Sequence, residues 1–210
     1  MQTYKIVRSK RKTISMKVVN KQLIVYAPLL CPNSLIEQFV SKHQNWIEKK
    51  LSATKKILSL DLANLNEVYI LGRKYQLDIS TANKSAIYLS GDTLFICGKS
   101  TNAVNNCFKK YLEGVITDEI IFIQKDKNIS FDYSFRYYKS RWGCCYKNKR
   151  LIIINSLAAC LEKQLLDSII FHEIAHLSIS NHQKEFYDCL AKLDSNYRNN
   201  SKALKEYEIM

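Results

Sequence analysis

Residues 165–182 read LLDSIIFHEIAHLSISNH, an apolar run that carries His172, Glu173 and His176 and ends on a further histidine, His182. In a helix, side chains four residues apart lie on one face. His172 and His176 can therefore direct two imidazole nitrogens at a single metal ion about 2 Å away. Glu173 stands beside them, off the ligand line. A carboxylate placed there suits proton removal from a metal-activated water rather than metal binding. The alternative is two core histidines and a chance glutamate. It is disfavoured by the surrounding wall, since Leu165, Leu166, Ile169, Ile170, Phe171, Ile174, Ala175 and Leu177 are apolar and a charge among them needs a partner. The pattern reads as a zinc hydrolase site.

Zinc requires a third protein ligand, and His182 is the candidate. One helix cannot bring His172, His176 and His182 to a point, so the chain turns between the last two. Ser178, Ser180 and Asn181 permit this, and Asn181 is expected to take the left-handed conformation that ends a helix. Metzincins use glycine where this chain has Ile179, which sets it apart from them. The competing reading makes His182 a bystander opening the next helix. Of the four histidines only His43 lies elsewhere. It falls on an amphipathic stretch and reads as a surface or packing residue.

A chain of 210 residues can bury one sizeable core or two small lobes. The expected architecture is one compact unit of two lobes, residues 1–98 and 99–210, with the boundary near 98–101. No stretch approaches 18 consecutive apolar residues, and Met1–Lys12 is too charged for a cleaved signal, which predicts a cytoplasmic protein without a membrane partner. Seven scattered cysteines without C-x-x-C spacing fit reduced thiols, mostly packed. The formal net charge is +13, and it is concentrated: residues 1–56 hold twelve Lys or Arg against Glu37 and Glu48 alone, a formal +10. Such a lobe either meets nucleic acid, nucleotides or acidic protein segments, or simply keeps β-edges soluble. Oligomeric state has no signature in the sequence.

Alternating apolar residues predict a hairpin, Ile14–Val18 with Leu23–Ala27 around Asn20-Lys21. After Pro32, Ser34-x-x-Glu37 resembles a capping box opening a helix to about Lys56, with Leu35, Ile36, Phe39, Val40, Trp46, Ile47 and Leu51 inward. Two further hairpins are expected around Gly72-Arg73 and Gly91-Asp92. Helical spacing of Val104, Phe108, Leu112, Ile116, Ile120 and Ile123 predicts a long helix from Thr101 to about Lys125. Strands Phe131–Arg141 and Arg150–Asn155 follow, then the metal helix, a last helix His182–Leu193, and a Lys- and Asn-rich tail that adds a turn or frays.

The stretch Ser140-Arg141-Trp142-Gly143-Cys144-Cys145, then Asn155, then HEIAH ending at His182, resembles the YgjP-like family of metallopeptidases, relatives of SprT-like and WLM proteases. Arg8–Ile14 and Trp46-Ile47 carry the same likeness, which spans essentially the whole chain. It implies an α+β fold in which a β-rich basic N-terminal lobe packs with a zincin-like helix-strand-helix lobe. It also implies Zn2+ held by His172, His176 and His182, with Glu173 as general base. The chain departs from the family at Cys144, usually Ser, and at Ser168, commonly Tyr; both bear on the surroundings of the metal.

Peptide-bond hydrolysis is the leading expectation. Glu173 would take the proton of the attacking water and return it to the leaving amine, while the strand before the metal helix pairs with an extended peptide. Arg141 is the candidate substrate-binding residue, as the donor to a developing oxyanion, and Trp142 reads as core. A second reading, which the family resemblance also implies, is a metal-dependent pyrophosphatase acting on UTP-type nucleotides. Arg8, Arg11, Arg136 or Arg141 would then steady the phosphates. The basic lobe favours it; the lack of a carboxylate cluster opposes it. A third is a non-catalytic, zinc-stabilised nucleic-acid-binding protein, against which the intact Glu173 argues.

Overall fold

The segment YKIVRS, rich in charge and without strict alternation, forms a strand that the sequence pattern does not announce: β1 (Tyr4–Ser9). The computed structural model describes residues 4–19, 22–52 and 56–209, and the chain divides into two compact units, 1–55 and 56–210. In the first, β2 (Ser15–Val19) and β3 (Gln22–Pro28) pair antiparallel as the alternation predicts, and β1 pairs parallel to β3 on its other side. The expected turn at Asn20-Lys21 lies outside the described residues. Central β3 buries Leu23, Val25 and Ala27 against Ile36, Val40 and Ile47.

Those last three residues come from two helices, α1 (Asn33–Lys42) and α2 (Gln44–Ser52), not from one helix to Lys56. The break falls at His43, which leaves the helical region at φ −111, ψ 19 while its Nδ1 meets the Phe39 carbonyl at 2.7 Å. The capping box does not form, because Pro32 takes the N-cap position without a side-chain hydrogen bond. The entry is held instead by Arg8, whose guanidinium donates to the carbonyls of Pro28, Leu29 and Cys31 and to Asn33 Oδ1. Leu35 and Trp46, expected inward, are exposed. Only the four-residue spacing of Ile36 and Val40 follows the buried stripe of α1.

The second unit opens with β4 (Lys56–Leu58) and a four-stranded sheet built from β5 (Glu67–Ile70), β6 (Arg73–Thr81), β7 (Ala86–Ser90) and β8 (Thr93–Gly98) in the order β5-β6-β8-β7. Both expected hairpins are present. The first turns through Leu71 (φ 50) and Gly72 (φ 80), the paired positive φ that matches hairpin twist. Glycine is required there twice over, since a Cβ on Gly72 would lie 2.9 Å from Glu162 Cγ. The sheet is followed by α3 (Thr101–Asp126), capped by Ser100, whose side chain accepts from the Ala103 amide. Val104, Phe108, Leu112, Ile116, Ile120 and Ile123 of α3 share one core with Leu94, Ile96, Leu166 and Ile170. Residues 98–101 therefore lie inside a unit, not at a lobe boundary: the buried face of the sheet packs on the helix that follows it.

A three-stranded sheet comes next, ordered β10-β11-β9, from β9 (Asp132–Arg136), β10 (Gly143–Tyr146) and β11 (Leu151–Asn155). The strand expected over Phe131–Arg141 stops at Arg136, and residues 137–142 form a loop that returns as edge strand β10. Buried Asn155 fixes this loop, with Nδ2 donating to the carbonyls of Tyr138 and Arg141 and Oδ1 accepting from the Leu157 amide. A buried 3-10 turn, Ser156–Cys160, leads to α4 (Lys163–His176). Then α5 (Lys184–Leu193) begins two residues later than expected, and the tail folds into α6 (Tyr197–Ala203) and β12 (Tyr207–Ile209) instead of fraying. β12 pairs parallel with β4, and Tyr207 Oη, which accepts from Lys56 Nζ at 3.2 Å, donates to Glu162 at 2.6 Å. These bonds join both ends of the unit to the start of α4.

Lys163 lies between Glu119 of α3 and Asp167 of α4 and pairs with both. Burial pushes the Asp167 carboxyl up to about 6, against the pull of the Lys163 hydrogen bond and with reinforcement from the Glu119 charge. A carboxyl whose folded pKa lies above its unfolded value of 3.8 makes stability fall as pH rises from about 4 to about 6. Asp167→Asn removes this component and leaves the titrating groups outside the Glu119–Lys163 cluster common to both proteins. Chemical denaturation from pH 4 to 7 should show the variant gaining on the parent across that window; a constant difference would refute the assignment.

Candidate metal centre

Leu165, Leu166, Ile169, Ile170 and Ile174 of α4 lie in the core, and half-buried His172 and His176 continue the Leu165–Ile169 stripe at the edge of that buried face. His182, exposed on the connection to α5, folds back onto them. Its Nε2 lies 3.1 Å from His176 Nε2 and 3.2 Å from His172 Nε2. The turn uses no left-handed Asn181: among the described non-glycine residues positive φ is confined to Leu71, Asn128 and Arg150. The last turn of α4 instead unwinds through amide bonds from Ser178 and Ile179 to Ala175, while Lys147 Nζ donates to the Ser178 carbonyl.

Three ring nitrogens so close together could hold a metal ion. A neutral imidazole has one N–H, and His176 directs its Nδ1 at the Ile179 carbonyl, 2.9 Å away, so its Nε2 presents a lone pair. Burial, then the neighbouring His176 and His182, lowers the His172 pKa to about 4; burial likewise lowers that of His176, against the Ile179 hydrogen bond. His172 and His176 are thus held in the neutral form that binds metals. A tetrahedral zinc site with Zn–N of about 2.0–2.1 Å has ligand edges of about 3.3 Å, which the two measured separations approach. The residues present therefore fit a metal ion.

Phe186 of α5 supplies the floor. It is fully buried, with its ring centre 5.0 Å from His172, 4.5 Å from His176 and 4.7 Å from His182. In the sequence Phe186 is only another core residue of an amphipathic helix, and no spacing rule singles it out.

Glu173 is 6% exposed, and burial raises its carboxyl to about 7, with the positive charge of Arg141 pulling the other way. Edge strand β10 passes directly over it: a Cβ on Gly143 would lie 2.9 Å from both Cγ and Oε1 of Glu173. Gly143 is a site residue that motif reading passes over, although the Arg141-Trp142-Gly143 stretch contains it. Cys145, two residues along the same strand, has its thiol pushed up to about 11 by burial, then by the Glu173 charge. Cys144 meets the Tyr138 hydroxyl at 3.3 Å. Neither thiol belongs to the metal set.

Arg141 does not join the triad. Its guanidinium stands 5.2 Å over the Tyr138 ring, which Arg136 also approaches at 5.7 Å. Trp142 packs partly on the core and also lines the site. From the histidines a cleft of about 1460 Å³ runs along α5 and α6, past Ser168 and Tyr187. Its cations are Lys184, Arg198, Lys202 and Lys205. Two of these, Arg198 and Lys202, stand four apart on α6, in the tail for which the sequence pattern predicts no role. Arg8 and Arg11, named as phosphate candidates, belong to the first unit.

A family model described as a YgjP-like metallopeptidase domain matches residues 12–207, nearly the whole chain. Neither a curated protein nor a solved structure matches it. Among the described residues no helix is long and apolar enough to cross a membrane. The family match covers both units, every histidine of the triad, Glu173 and the Gly143 strand, and on it the chain belongs to the YgjP-like metallopeptidase family.

Proposed function

We propose that this protein is a zinc-dependent hydrolase that cleaves peptide bonds, with His172, His176 and His182 as metal ligands and Glu173 as general base. The observation that carries this reading is the convergence of three imidazole rings beside a buried carboxylate at the end of an open cleft. Zinc held there would supply Lewis acidity toward water and the substrate carbonyl. The Ile179 carbonyl holds the δ proton of His176 and so keeps the ring oriented for ligation. Glu173, roofed by Gly143 and thus confined to one position, accepts the water proton and delivers it to the leaving amine. An extended peptide would add to β10, whose outer edge is unpaired, and not to β11, which has strands on both sides. We assign Arg141 to substrate binding near the start of that edge.

A second reading, a nucleoside triphosphate pyrophosphatase, draws support from one observation, the four cations along the cleft. Phosphate or pyrophosphate release from a nucleotide panel by zinc-loaded protein, run beside Glu173→Gln, separates the two. Release that vanishes in the variant, with KM raised by Arg198→Glu and Lys202→Glu, establishes the nucleotide hydrolase. Release no greater than in the variant leaves peptide hydrolysis standing.

His182→Ala should lose zinc and melt at lower temperature, whereas Glu173→Gln should keep zinc and fold and lose about 100- to 10,000-fold in turnover. Zinc content by elemental analysis decides the first, and undiminished turnover would remove Glu173 as the base. Gly143→Ala should retain metal and stability yet lower turnover about 100-fold, because the methyl must displace the Glu173 carboxylate. Wild-type kinetics in that variant would show that the roof over Glu173 has no functional role.

A further inference from the structure

The β1-β3-β2 sheet has two faces of opposite character. Leu23, Val25 and Ala27 point into the core beneath α1 and α2, so Ile24 and Tyr26 point to the other face. In register, Ile24 lies between Lys5 of β1 and Lys17 of β2, and Tyr26 lies between Val7 and Ser15. Lys5 and Lys17 are exposed; Ile24 and Tyr26 are half-buried. Arg11 folds back over this face with its guanidinium 5.6 Å from the Tyr26 ring centre and Nη2 donating to Ser15 Oγ at 2.7 Å. The charge is segregated as well. Residues 4–32 contain no Asp or Glu, and the two acidic residues of the unit, Glu37 and Glu48, sit on the helices across the sheet.

We propose that this face binds single-stranded nucleic acid, with Tyr26 and Ile24 as the surface on which unpaired bases stack and Lys5, Arg11 and Lys17 as phosphate contacts. Two strand spacings separate the lysine rows by about 10 Å, enough for a base to lie between backbone contacts on either side. Base stacking on an aromatic ring flanked by cations is tolerant of sequence and requires unpaired bases. Charge alone would serve a duplex or an anionic membrane equally well; the Arg11–Tyr26 stack at the centre of the cationic face is what favours unpaired bases. Arg8 is not part of the surface, because its guanidinium is occupied by the carbonyls that hold the α1 entry.

The test is fluorescence anisotropy of the full chain with a labelled dT12 strand, its U12 counterpart and a 12-base-pair duplex, beside sedimentation with phosphatidylserine vesicles. Three phosphate contacts predict that affinity for the single strands falls about 20-fold between 50 and 200 mM salt. Lys5→Glu with Lys17→Glu should weaken binding at least about tenfold. Tyr26→Leu should weaken single-strand binding about tenfold and leave duplex binding unchanged, with the melting temperature reporting that the fold is retained. Absence of oligonucleotide binding, equal binding by the lysine variant, or capture by vesicles alone would overturn the proposal. So would single-strand affinity indifferent to Tyr26→Leu in a folded variant.

Discussion

Three imidazole rings brought together so that His182 Nε2 lies 3.1 and 3.2 Å from the Nε2 atoms of His176 and His172 leave little freedom to any of them, so the surrounding structure must impose the arrangement. Phe186 does much of this, since one fully buried ring contacts all three histidines and limits where each can turn. Phe186 in turn is held by Ala175 and Leu190 in a small cluster of its own, at the junction of α4 and α5. A divalent ion bound there would add coordination to the packing that orients the rings.

Around the triad, the positions that matter are set by backbone more than by side-chain identity. Asn155 ties the 137–142 loop to the end of β11 through two carbonyls, and Trp142 accepts from the Asn155 amide at 2.7 Å. That attachment starts β10 at Gly143, and the strand then covers Glu173. A buried amide two elements away thereby determines how closely a strand approaches the carboxylate. The Asn155 side chain is fully buried, and leaving a buried polar partner unmade costs about 1–3 kcal/mol.

The two units carry different physics. The second is a core built around α3, with polar chemistry gathered at one end of α4. The first is a small sheet with one apolar face and one cationic face, and its stability leans on Arg8, which satisfies three carbonyls at the entry to α1. A charge excess of this size in so short a segment repels itself, and at Arg8 the cation also serves as a structural clamp on the carbonyls at the α1 entry.

Much of this was legible in the sequence. The spacing of His172 and His176 on an apolar helix, the extra His182, the long α3 and the three hairpins follow from local periodicity, which depends only on neighbours within a turn or a pleat. Four features did not follow. Strand β1 has weak alternation and exists because β3 offers it an edge. The break at His43 depends on how two short helices cover one sheet. The unit boundary at 55–56, and not 98–101, reflects a sheet that needs α3 as cover. The tail becomes α6 and β12 only because β4, Lys56 and Glu162 are there to receive it. The sequence by itself therefore determined the pairing of His172 with His176, because i and i+4 on a helix is a local geometry, whereas the return of His182 depends on the connection to α5. The roof of Gly143, the Phe186 floor and the cationic wall of α6 were decided by tertiary structure, because each brings together residues whose separation along the chain carries no periodic signal.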